Sequence, residues 1–197
     1  MQLRDCFAHM VEHWTDALVV TSAGQSSGTW WNLTKDRDRV FYLTASMSLS
    51  TMFASGIAIG HPNTPVWAFS GDGAFVMNPG MLFVERHMNL PNLKHFLISN
   101  RCYASTDEVA IPFAQVTDYA GMARAAGIER VYSFDRIEDF KAKFDEAVLA
   151  RGHSFIVLHV EQIGTEMRTG TMDGPEVKFR FGRHIEKATG AKLFNVP

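Results

Sequence analysis

A three-layer α/β fold, with a mostly parallel sheet covered by helices on both faces, is what this sequence predicts. Two observations carry that expectation. Short, almost wholly apolar runs recur along the chain, and segments with helical spacing separate many of them. Parallel strands buried on both faces read as continuous apolar runs, and each parallel neighbour needs a crossover, usually a helix.

Arg4–Thr15 opens the chain as a helix, with Phe7, Met10, Val11 and Trp14 on one stripe. Ala17–Thr21 is a buried strand, followed by a small polar stretch, Ser22–Gly28. Val40–Thr44 is the next strand, and Ser48–Gly60 a helix of small residues stopped by Gly60 and Pro62. Val66–Phe69 is a strand broken by Gly71-Asp72-Gly73. Asn78-Pro79 reads as the N-cap and first position of a helix running to Met88. His95–Ser99 is a strand, and Asp118–Ala126 a helix closed by Gly127. Strand, helix and strand follow at Arg130–Phe134, Ile137–Ala150 and Ser154–Val160, with a last helix over Arg180–Ala188.

A chain of 197 residues, 46% hydrophobic and 20% charged, can bury one substantial core. We place the domain at residues 1–165 and a tail, packing on it or on a partner, at 166–197. The net charge of −2 gives no reason to expect nucleic acid or an anionic membrane. Cys6 and Cys102 make neither a disulfide framework nor a zinc site. With no leader-like N-terminus and no run long enough to span a bilayer, a soluble cytoplasmic protein is expected.

The chemistry is expected where two strands end in polar turns, because ligands of open α/β sheets sit beyond the carboxyl ends of strands. Val66–Phe69 leads into Ser70-Gly71-Asp72-Gly73-Ala74, and His95–Ser99 into Asn100-Arg101-Cys102-Tyr103. One helix separates the two strands, so their ends can be neighbours. Gly71 and Gly73 allow close backbone approach to an anion, with amides near Gly73 and Ala74 as donors. Asp72 would repel a phosphate unless a cation lay between them. Mg²⁺ fits that role, taking the Asp72 carboxylate and the Asn100 amide oxygen as hard donors.

Strand, Gly-Asp-Gly, helix, strand and Asn together resemble the diphosphate-binding domain of thiamine-diphosphate enzymes, which implies that family's fold. The resemblance implies Mg²⁺ on Asp72, Asn100 and the backbone carbonyl of Cys102. Thr44-Ala45-Ser46-Met47-Ser48 is similar to the family's Gly-Ser-Met-Gly, implying that Met47 bends the cofactor and the Ala45 carbonyl meets its aminopyrimidine. Ser22-Ala23-Gly24-Gln25-Ser26 resembles a further diphosphate loop. Cofactor contacts are thus expected at Gly24, Gln25, Ser26, Ala45, Ser46, Met47, Gly71, Asp72, Gly73, Ala74, Asn100, Cys102 and Tyr103. Tyr103–Thr106, Asp118–Ala120 and Ala123–Gly127 look like the sulfopyruvate and phosphonopyruvate decarboxylases. Asp107-Glu108 departs from them, standing where that subgroup has glycines.

The family's activating Glu belongs to a pyrimidine-binding domain that has no duplicate here. The resemblance therefore implies a hetero-oligomer with a pyrimidine-binding subunit, decarboxylating a 2-oxo acid. A subunit of an acetolactate-synthase-like carboligase and a non-catalytic subunit retaining the fold are the alternatives. His9-Met10-Val11-Glu12-His13 fits an H-x-x-E-H zinc pattern. With eight histidines and no evident third ligand, an amphipathic first helix is the better reading. His61 and His87 fit loop and helix ends as well as a substrate pocket, and Arg101 fits the surface as well as an acidic substrate. Trp30-Trp31 reads as a packing or interface pair.

Overall fold

The structure, a computed structural model, describes residues 1–44, 46–162 and 173–194. The elements in order are α1 (Leu3–Glu12), β1 (Leu18–Thr21), α2 (Gln25–Thr34), β2 (Val40–Tyr42), α3 (Ser50–Gly60), β3 (Val66–Gly71), α4 (Asp72–Met77), α5 (Met81–Met88) and β4 (Leu93–Ser99). A two-stranded antiparallel hairpin, β5 (Cys102–Tyr103) and β6 (Val109–Ala110), follows. Then come α6 (Tyr119–Ala125), β7 (Val131–Phe134), α7 (Ile137–Ala142), a π-helical turn at Asp145–Leu149, β8 (Ser154–His159) and α8 (Gly174–Thr189).

The main sheet has six strands in the order β2-β1-β3-β4-β8-β7, and every pairing is parallel. Alternate side chains of each strand serve opposite faces. Trp67, Phe69, Phe96, Ile98, Ile156 and Leu158 meet Phe7 and Met10 of α1, Trp30 of α2 and Phe140 of α7. On the other face, Val66 and Ala68 meet Ala54 and Ala58 of α3. Leu97, Phe155 and Val157 there meet Phe75 of α4, Leu82 of α5 and Ala123 of α6. The predicted three-layer architecture is observed.

Four elements differ from expectation, each for a local reason. The polar stretch after β1 is the entry to α2, whose first-turn Gln25, Ser26 and Ser27 are buried. Ser26 and Ser27 hydroxyls donate to Ser22 O (3.2 and 2.7 Å), so burial leaves them satisfied. Asn78 ends α4 instead of opening a helix, because the residue before a proline is pushed out of the helical region, and α5 starts at Met81. The helix expected over 137–150 ends at Ala142 and resumes as the π turn, beyond which Ala150 O accepts from the buried ammonium of Lys94 (2.6 Å). The last helix begins at Gly174 because Asp173 caps it, accepting from Glu176 N (2.8 Å), with Pro175 in the first turn.

Helix α8 packs Phe181 and Ile185 against Leu18, Phe41 and Ile57. The expected boundary at 165/166 lies within 163–172, outside the described residues. Among the described residues, no helix is long and apolar enough to cross a membrane.

Candidate functional site

The chain moves from β1 outward to β2, then returns to place β3 on the other side of β1. That reversal creates a topological switch point at the carboxyl ends of β1 and β3, where this fold class binds ligands. A cavity of about 50 Å³ lies there, lined by Ser22–Ser26 after β1, Met47 after β2, Gly71–Ala74 after β3, and Ile98, Asn100 and Cys102–Ser105 around β4 and β5. It has room for an ion with one or two waters, and it opens outward.

Asp72 is 1% exposed and opens α4. Its Oδ2 accepts from Arg101 N (2.7 Å) and Ser99 Oγ (3.0 Å), and its Oδ1 from Gly73 N (2.9 Å). Asp72 is therefore held against the residues on either side of Asn100, and both predicted metal ligands line the one cavity. Asn100 Nδ2 donates to Gln25 Oε1 (2.9 Å), leaving Oδ1 towards Cys102 N (3.3 Å). Burial raises the pKa of the Asp72 carboxyl, and its three donors only partly reverse that. Burial, then the charges of Glu108 and Asp72, push the Cys102 thiol up as well.

This donor set fits a divalent cation. A buried carboxylate, in no salt bridge among the described residues, lines the same cavity as a second hard-oxygen residue, Asn100. The surroundings also fit an anion beyond the cation. Helices α2 and α4 both point their amino ends at the cavity, and their N-cap residues, Gly24 and Gly71, have no side chain to cap them, although Asp72 itself takes Gly73 N. Gly24, before α2, has φ +103°, a backbone that side-chain-bearing residues rarely adopt. A Cβ at Gly73 would stand 2.6 Å from the Tyr103 ring, so only glycine lets the two pack together.

Of the expected contact residues, Gly24, Gln25, Ser26, Met47, Gly71, Asp72, Gly73, Ala74, Asn100, Cys102 and Tyr103 line the cavity. Ser46 does not: it is exposed and absent from the lining. Ala45 lies outside the described residues. Ser99 contributes a donor to Asp72 that the motif did not flag, although it adjoins Asn100.

Ser48, one of two positions where the resembled motif has glycine, sits at φ +74°. Left-handed backbone costs a non-glycine residue about 1–2 kcal/mol. Ser48→Gly should therefore stabilise the chain by about 1 kcal/mol, net of glycine's entropy, read as a rise in urea midpoint. A fall would show that the serine hydroxyl holds the turn. Asp107 and Glu108, the other departure from glycine, have φ +57° and +55°.

The remaining candidates fall elsewhere. His9, Glu12 and His13 place ligand atoms within 4.8 Å of one another. The His9 ring also packs against Phe144 (4.8 Å), with its buried Nε2 unpartnered, and this is mainly core packing. His61 lines an apolar groove between α3 and α8, and His87 is exposed. Arg101 lines a separate polar cleft with Asp135 and His159. Trp30 is fully buried, edge-on to Phe7 and Phe69, while Trp31 lies under Lys35 and Arg37.

Fold and site together define an α/β domain with a polar cavity at a sheet switch point, whose lining fits a metal-bound diphosphate. The family description "Thiamine pyrophosphate enzyme, C-terminal TPP binding domain" matches residues 22–160, and the chain belongs to that family. It is 27% identical over 174 residues to the sulfopyruvate decarboxylase subunit beta of Methanothermobacter thermautotrophicus, covering 88% of this chain and 90% of the relative. The subunit of that name from Methanocaldococcus jannaschii is 26% identical, with 87% and 89% covered. The sulfopyruvate decarboxylase of Methanosarcina acetivorans is 25% identical, and the chain spans 48% of its length. Among solved structures, a thiamine diphosphate-dependent 4-hydroxybenzoylformate decarboxylase from Rhodococcus jostii RHA1 superposes with a TM-score of 0.66 at 17% identity. A thiamin diphosphate-dependent enzyme from Mycobacterium smegmatis gives 0.70 at 18%. Both share the fold over 83% of this chain, which spans only 33% and 32% of theirs.

Proposed function

We propose that this chain is the thiamine-diphosphate- and Mg²⁺-binding subunit of a two-subunit lyase that decarboxylates a 2-oxo acid. The observation that carries the proposal is the buried Asp72 carboxylate held beside Asn100, in a cavity faced by two helix amino ends. Asp72, Asn100 and the Cys102 carbonyl would hold the ion. The amides opening α2 and α4 would receive the diphosphate, and Met47 would pack against the organic part. Thiamine diphosphate supplies the electron sink that makes loss of CO₂ possible. This chain's own residues bind and orient that group.

The cavity is too small to enclose the whole cofactor, so the remainder would extend across the open side towards a partner. Large apolar side chains stand exposed on elements leading away from the cavity: Met77 at the end of α4, Phe83 on α5, Val109 in β6, and Phe113 beyond it. Such apolar exposure marks interaction surfaces. It supports a pyrimidine-binding subunit as the partner, in keeping with relatives named as beta subunits.

The test is reconstitution with the pyrimidine-binding subunit. The complex should release CO₂ from a 2-oxo acid and be stabilised by thiamine diphosphate with Mg²⁺, by about 2.7 kcal/mol at a hundredfold excess over Kd. The chain alone should not turn over. Robust turnover by the single chain, or a complex indifferent to the cofactor, would overturn the reading.

A further inference from the structure

A hydrogen-bonded chain of buried side chains lies beneath the Asp72 turn, on the sheet face covered by α4 and α5. Ser70 Oγ and His95 Nε2 are 2.6 Å apart, and His95 Nδ1 lies 3.0 Å from each carboxylate oxygen of Glu85. His153 Nε2 stands 3.3 Å from Glu85 Oε2 without the full geometry of a hydrogen bond. Exposure is 0% for His95, 1% for Ser70 and Glu85, and 4% for His153. The surroundings are apolar: Phe155 packs edge-on to His95 at 4.7 Å, and Phe75 lies at 6.5 Å.

Well-packed apolar residues of similar volume often match or exceed the stability of a buried ionisable pair, so stability alone does not account for this one. What a hydrogen-bonded pair adds is direction. Strand β4 grips the α4–α5 unit at two points on one face, four residues apart. Ser99, with Arg101 N just beyond it, holds Asp72 at the start of α4, and His95 holds Glu85 on α5. Ser70, two residues before Asp72, joins the same chain from β3. Ser99 thus holds Asp72 directly, while Ser70, His95 and Glu85 tie β3, β4 and α5 together behind the turn, and none of the four lines the cavity.

We infer that Ser70, His95 and Glu85 are positioning residues that set the Asp72 turn for metal and diphosphate binding. The inference rests on the proposed thiamine-diphosphate reading. Outer partners that orient metal ligands typically change affinity by tenfold to a hundredfold when removed.

The experiment follows Mn²⁺ binding by electron paramagnetic resonance, at saturating thiamine diphosphate, in the full chain assembled with its partner subunit. Ser70→Ala leaves the Glu85–His95 pair in place but strands His95 Nε2, and should lower the melting temperature without ligand by a few degrees. It should weaken Mn²⁺ binding about tenfold and broaden the bound-ion spectrum. His95→Gln, whose amide can still donate, should retain more affinity than His95→Leu. Variants that melt earlier yet bind Mn²⁺ within about twofold of wild type would make the network purely structural and overturn the inference. A wild-type complex that binds no Mn²⁺ with thiamine diphosphate would instead bring down the cofactor reading itself.

Discussion

Asp72→Asn should eliminate stabilisation by thiamine diphosphate and Mg²⁺ while leaving the stability of the unliganded chain close to wild type. The two effects differ in size because they act on different states. In the free protein, the Asp72 carboxylate is 1% exposed and pairs with donors alone, so its charge is held at a desolvation cost. Asparagine keeps the shape and can still accept from Ser99 and Arg101 through one oxygen, while its amide faces Gly73 N less well. The net change should lie within about 1 kcal/mol of zero. In the loaded state, the lost anionic ligand removes the group that screens the cation from the protein interior. The wild-type gain of about 2.7 kcal/mol at a hundredfold excess of ligand should vanish, with turnover of the complex down at least a hundredfold. Paired melting curves with and without cofactor check both halves. A variant that is strongly destabilised without ligand, yet still shifted by the cofactor, would show that Asp72 is a structural cap.

The parallel sheet was legible because its strands are apolar throughout. Phe96, Leu97 and Ile98 are buried on alternating faces, and no alternation tempts a half-exposed assignment. Asp72 and Asn100 were legible because each follows such a strand directly, and adjacent parallel pairing places both turns on one edge. Helix α2 was not, since its first turn is polar and its burial depends on Ser22 accepting two hydroxyls, a tertiary fact. The break at Asn78 was misplaced because Asn-Pro serves equally to stop one helix or to start another. His95 carried no signal within the run His95–Ser99, and neither did Glu85 in its helix. Their pairing spans ten residues and exists only once α5 lies on β4. Composition likewise gives no hint that Lys94 is buried among carbonyl oxygens.

Glu85→Ala should be the most destabilising single substitution in the buried network, costing about 3–5 kcal/mol, because it strands His95 and His153 without their anion. In a chain of this length that lowers the melting temperature by roughly 10 °C. Burial alone would raise the Glu85 carboxyl, but His95 and His153 reverse this and hold it down at about 2, against an ordinary 4.5. A carboxyl depressed in the folded state adds stability that is complete above its unfolded value. That stability is lost as pH falls from about 4.5 towards 2, where the folded group also takes a proton. The gap between wild type and Glu85→Ala should therefore be widest at neutral pH and close on acidification through that window. Glu85→Gln should fall between them, since its amide oxygen still accepts from His95 but carries no charge. Chemical denaturation at neutral pH and at a series of acid values reads all three. A gap that stays constant down to the lowest pH would mean that Glu85 contributes by packing, and that its charge does not stabilise the helix on the sheet.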